Sequence, residues 1–144
     1  MALNLSAFLA ENAVKPVNVK YVASERMIDP ETGKPAEWEI RCLTSAEDEA
    51  IRRASIRRVP VPGRKNQFTN ETDMNTYLGK LAVAATVFPP LTSAELQDNY
   101  KVKGAENLLK EMLTAGEYAD YLAKVQQICG FETTLQDEVD EAKN

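Results

Sequence analysis

Residues 38–51 read WEIRCLTSAEDEAI, and the fold class turns on a change of period inside them. Trp38, Ile40 and Cys42 alternate with Glu39 and Arg41, the two-residue period of a half-buried strand. From Thr44 the pattern becomes helical. Thr44 and Glu47 have the spacing of a capping box, in which the hydroxyl accepts from the amide three residues on and the carboxylate reaches back. A helix over about 45–57 follows. Glu47, Asp48 and Glu49 lie at the positive end of its dipole, and Arg52 and Arg53 fall late, where cations suit the negative end.

Toward the N-terminus, Val17, Val19 and Tyr21 alternate with Asn18 and Lys20, a second strand. Between the two runs, Asp29, Pro30, Thr32, Gly33 and Pro35 form a dense cluster of turn residues. The segment therefore predicts a β-hairpin over about 17–43 with a long exposed tip. Before it, Leu5, Phe8 and Leu9 have helical spacing up to Lys15-Pro16, which predicts a short amphipathic helix docked on the body.

Toward the C-terminus the helical period dominates. Met74, Tyr77, Leu78, Leu81, Ala82, Ala85 and Phe88 predict the longest helix, about 71–88, ended by Pro89-Pro90. Thr92 with Glu95, between Leu91 and Leu96, and Thr114 with Glu117, between Leu113 and Tyr118, repeat the capping box with a hydrophobic staple. They start helices near 93–100 and after 114, with another at about 105–113. The last carries Tyr118, Leu122, Val125 and Cys129 on one stripe; Gly130 then supplies a left-handed cap, and Phe131 is placed to pack back near Val125. The expected fold is α+β and predominantly α-helical: a short N-terminal helix and a β-hairpin (about 17–43), then about five helices within 44–131. Residues 1–131 are expected to form a single globular domain and 132–144 an acidic, solvated tail.

Charge supports that division. The 144 residues carry a net charge of -5. Residues 132–144 hold Glu132, Asp137, Glu138, Asp140 and Glu141 against Lys143 alone, which leaves the first 131 residues nearly neutral. With no histidine in the chain, Ser-His-Asp and Cys-His pairs and His-containing zinc sites are excluded. Cys42 and Cys129 share no CxxC spacing and read as free thiols in a reducing compartment. No apolar run approaches the ~20 residues a bilayer span needs, and the opening residues lack the basic region of a secretory signal. An intracellular protein is expected.

No residues converge on catalysis, a nucleotide or a metal, so neither an enzyme nor a cofactor is expected. The one charge feature above background is Arg52, Arg53, Arg57, Arg58, Arg64 and Lys65, a stretch without an acid. It reads first as a solvated face, then as a surface for an acidic protein, and last as a nucleic-acid site, because no aromatic residue interleaves for base stacking.

The segments FLAENA, EWEIRCLTSAEDEAIR, YLGKLAVAATVFPPL and, most specifically, Ala94 to Phe131 resemble the XkdN-like family of phage tail assembly chaperones over nearly the whole chain. The resemblance implies a non-enzymatic protein of the bacterial host cytoplasm that binds the tape-measure protein, helps the tail tube protein polymerise around it, and is absent from the mature virion. It also implies a frameshifted longer form of the same chain as a partner, its extension joining in the acidic tail. A chaperone for a long helical partner needs apolar grooves. Leu108, Leu109, Met112 and Tyr121 are the expected contacts, because Met and Tyr adapt to varied partners. Two alternatives stand beside this reading: a structural tail component retained in the particle, such as a tube or completion protein, and a basic adaptor binding nucleic acid through 52–65.

Overall fold

A computed structural model of the chain describes residues 4–130. In it the hairpin forms as the alternation predicts: β1 (Val19–Tyr21) pairs antiparallel with β2 (Trp38–Ile40). Trp38 and Ile40 point into the core while Glu39 faces outward to an ion pair with Lys20 at 2.9 Å. At the tip, the Gly33 amide donates to the Asp29 carbonyl at 2.8 Å and Gly33 has φ +71°, which explains the glycine there. Helix α1 (Ser45–Ala54) starts from Thr44 with both hydrogen bonds of the capping box present, and Arg41 grips Glu47 at 2.7 Å.

The sequence extends α1 to about 57, but it ends at Ala54. Ser55 closes it: the Ser55 hydroxyl donates to the Ile51 carbonyl at 2.7 Å. The chain then leaves the body as a second hairpin that the periodicity does not predict, β3 (Ile56–Pro60) with β4 (Phe68–Thr72). Every residue of the two strands except Val59 is exposed. Asp73 donates its amide to the Ser55 carbonyl at 2.7 Å, so both ends of the hairpin are clasped at one point.

Helix α2 (Met74–Ala85) follows, capped by Asp73, and is the hub of the helical part. It packs on α1 and on two later helices, α4 (Ala105–Met112) and α5 (Ala115–Ile128). Gly79 is buried in it; a Cβ there would stand 3.2 Å from the Tyr118 hydroxyl, a close approach that favours glycine. The expected helix over 71–88 is thus shorter at both ends. Thr86–Phe88 instead forms β5, which pairs antiparallel with β2 and completes a three-stranded sheet ordered β1-β2-β5. Among the described residues the fold is mixed α+β, with five α-helices and two sheets.

Helix α3 (Ala94–Asn99) is capped by Ser93, whose hydroxyl accepts from the Leu96 amide at 3.3 Å, so the cap falls one residue past Thr92 and the expected Thr92–Glu95 box does not form: the third helical residue is Leu96, which has no carboxylate to reach back. The box at Thr114 and Glu117 forms as read. Both cysteines are free, and Cys42 donates from its thiol to the Ile128 carbonyl at 2.9 Å. Gly130 has φ +92°, as a left-handed cap requires. Phe131 and the acidic segment lie outside the described residues. The expected N-terminal helix is a single 3-10 turn, Ser6–Phe8, with no buried residue, and it does not dock.

Candidate interaction surface

The four residues named from the sequence as partner contacts are core residues. Leu108, Leu109 and Tyr121 have no exposed surface, and Met112 is buried. In α4 the spacing 108, 109, 112 does form one apolar stripe, but that stripe faces inward toward α2 and α5. Tyr121 is held on three sides. Its ring stands edge-on to Trp38 at 5.2 Å, its face tilts toward Tyr21, and its hydroxyl meets Thr86 Oγ1 at 2.6 Å. Because Thr86 gives its own proton to the Ala82 carbonyl, Tyr121 is the donor between them. Burial pushes the Tyr121 phenol up to about 12. All four thus lie in the core of the described residues rather than on their surface.

The basic stretch does not assemble into one face. Arg52 and Arg53 sit on α1 and are paired one turn back with Asp48 and Glu49; Arg52 also lies over the Tyr77 ring at 4.5 Å. Tyr77 donates its hydroxyl to Asp48, so that carboxylate is shared. Arg57, on the β3–β4 hairpin, binds Glu71 at 2.7 Å and approaches Asp73 at 3.9 Å. Among the described residues only Arg58, Arg64 and Lys65 of the six lack a carboxylate partner, and all three lie on that hairpin. A groove for a nucleic-acid backbone would need cations in a continuous row, and half of these are neutralised.

What the surface does offer is apolar. Phe8 (81% exposed), Val14 (96%) and Val17 (84%) belong to the segment before β1 and, among the described residues, are not part of the core. At the free edge of the three-stranded sheet, Phe88 and Val87 of β5 are exposed. Next to them lies a cleft of about 480 Å³ whose lining includes Phe88, Pro89, Pro90, Ser93, Glu95 and Leu96, with a cis peptide bond between Phe88 and Pro89. Sequence reasoning missed this cleft because it placed Phe88 on a helix. The β-branched pair Thr86-Val87 just before two prolines was the available signal. Among the described residues no group of three or more Cys, Asp or Glu could hold a metal, and no helix is long and apolar enough to cross a membrane.

The model of the phage XkdN-like tail assembly chaperone family matches residues 5–143. The chain belongs to this family. The XkdN-like assignment agrees with the likeness to XkdN of the phage-like element PBSX of Bacillus subtilis strain 168, 27% identical over 142 residues, which cover 98% of this chain and 94% of that protein. The uncharacterized protein YqbN of the same strain is 28% identical over 142 residues, 98% of this chain and 93% of its own length. The crystal structure of YqbN superposes with a TM-score of 0.76 at 24% identity, covering 92% of this chain and all of that one, a likeness that bears on the fold. Membership of the XkdN-like family makes the chain a phage tail assembly chaperone, with tail proteins as its class of partner and a non-enzymatic role implied.

Proposed function

We propose that this chaperone binds the tape-measure protein in the bacterial cytoplasm, keeps it soluble until the tube encloses it, and helps recruit the tail tube protein without remaining in the virion. The family match over residues 5–143 carries the reading. The distribution of exposed apolar side chains supports it. A long amphipathic helix needs apolar surface on its chaperone, and the described residues offer it in the segment 8–17 and in the cleft beside Phe88 and Leu96. The core stripe of α4 is already filled.

Co-expression with the tape-measure protein of the same tail gene cluster tests this. The tape-measure protein should move into the soluble fraction and co-purify with the chaperone, and purified tails should lack the chaperone. A tape-measure protein that stays insoluble beside a well-folded chaperone overturns the binding claim. A chaperone retained in tails favours the structural alternative.

A further inference from the structure

Chaperoning through the N-terminal segment and the cleft leaves the β3–β4 hairpin without a role, although every residue of its strands except Val59 is exposed. Its residues 56–72 hold Arg57, Arg58, Arg64 and Lys65 against Glu71, a net charge of +3. The other residues of the first 131 carry twelve cations and sixteen acids, a net charge of -4. The two sides of the hairpin differ as well. Arg57 and Glu71 are direct partners across the strands and neutralise each other. On the opposite side, alternation places Ile56, Arg58 and Pro60 beside Phe68 and Asn70. There the Arg58 guanidinium lies 4.0 Å over the Phe68 ring, and Ile56 and Phe68 are each about half exposed. That side combines apolar surface with unpaired positive charge, and Arg64 and Lys65 extend the charge at the tip.

We propose that residues 132–144 of the same chain dock on this side of the hairpin, with Leu135 and Val139 on Ile56 and Phe68 and the carboxylates on Arg58, Arg64 and Lys65. Charge complementarity favours it. The segment carries five acids against one lysine, so the remainder of the body repels it and the hairpin attracts it. Apolar content matches too, because Leu135 and Val139 sit four apart among those acids. Reach is satisfied. The end of α5 abuts the start of α1: Cys42 donates to the Ile128 carbonyl, and Cys129 shares a small cavity with Leu43, Thr44 and Ser45. Helix α1, ten residues and therefore about 15 Å long, leads to the base of the hairpin. The fourteen residues after Gly130 span up to ~46 Å when extended, enough to pass α1 and follow the strands. Docked there, the acidic segment shields the hairpin from any other anionic segment, and such a partner must displace it.

The test uses the full chain, labelled for amide NMR. The variant Glu132→Gln/Asp137→Asn/Glu138→Gln/Asp140→Asn/Glu141→Gln removes the acids without touching the described fold. At low salt its resonances from 56–72 should differ from those of the unaltered protein. In high salt the unaltered protein should converge on the variant. Added to the variant, a peptide of residues 132–144 should restore the original hairpin shifts, with an affinity that falls on the order of tenfold from low to high salt. The reciprocal variant Arg58→Gln/Arg64→Gln/Lys65→Gln should move the resonances of 132–144 while those of Leu108 and Tyr121 stay in place. Hairpin resonances that superimpose between the unaltered protein and the acid-neutral variant overturn the proposal. Differences that vanish on dilution overturn it equally, because they assign the contact to a second copy.

Discussion

Arg26 grips Glu117 across 91 positions of chain, with Nη2 on Oε1 at 2.7 Å and Nε on Oε2 at 3.3 Å. The same carboxylate accepts from the Ser24 hydroxyl at 2.7 Å and from the Thr114 amide at 2.9 Å, so it closes a helix cap and pins the segment after β1 in one place. Arg26 also reaches the Met112 carbonyl at 3.0 Å, at the end of α4. Glu117→Gln keeps the shape but removes the charge that four donors share. It should lower the melting temperature measurably, whereas Glu111→Gln, on the exposed side of α4, should leave it unchanged. Parallel thermal melts by circular dichroism compare the two.

Acid should unfold the protein through this carboxylate and one other. The Arg26 guanidinium and the Thr114 amide hold Glu117 at about 2, and Arg41 with the Thr44 amide does the same for Glu47. Both values lie below the ordinary carboxylate value of about 4.3 that they take in the unfolded chain. A depressed folded value means that the unfolded state binds protons first, so the stabilisation is complete above about pH 4.5 and is lost as pH falls toward 2. Melting temperature should therefore be flat from pH 7 to 5 and fall below that. Because both groups are reached by solvent, added salt should shallow the fall, and the double variant Glu47→Gln/Glu117→Gln should shallow it as well, leaving the part due to Glu39 and Asp73, which Lys20 and the Thr76 amide also hold low.

Core positions should respond to truncation in stability. Leu109→Ala empties a fully enclosed site in α4 and should cost about 2–5 kcal/mol in urea denaturation. Tyr121→Phe is milder. It keeps the ring against Trp38 and removes only the bond to Thr86, whose hydroxyl still donates to Ala82, so about 1 kcal/mol is expected.

The switch from strand to helix at Thr44 was legible because two independent signals, period and cap chemistry, coincide there. The hairpin tip at Asp29 and the cap at Thr114 were legible for the same reason. The β3–β4 hairpin was not, since both of its sides face water and neither writes an apolar alternation into the sequence. Strand β5 was hidden for the opposite reason. Phe88 continues the helical spacing of Leu81 and Ala85, and only the distant pairing with Glu39 and Ile40 of β2 decides that the chain straightens. The inward direction of the α4 stripe was hidden on a third ground: an apolar stripe at 108, 109 and 112 suits an internal or an external neighbour equally, and the position of α2 selects the internal one.

The contrast between Leu109 and Phe8 separates chaperone activity from folding. Phe8, Val14 and Val17 are exposed and lie outside the core of the described residues, so Phe8→Ser/Val14→Ser/Val17→Ser should shift stability by no more than about 0.5 kcal/mol. If this segment takes the tape-measure protein, the triple variant should lose most of the solubilised partner in co-expression at an unchanged melting temperature. Phe88→Ser/Leu96→Ser probes the cleft in the same assay. Leu96 packs partly against the core, so this variant should lose stability as well, and its binding is read only at a temperature where circular dichroism shows it folded. Partner solubility that survives both variants would place the binding surface elsewhere. Loss in the triple variant alone would assign it to residues 8–17.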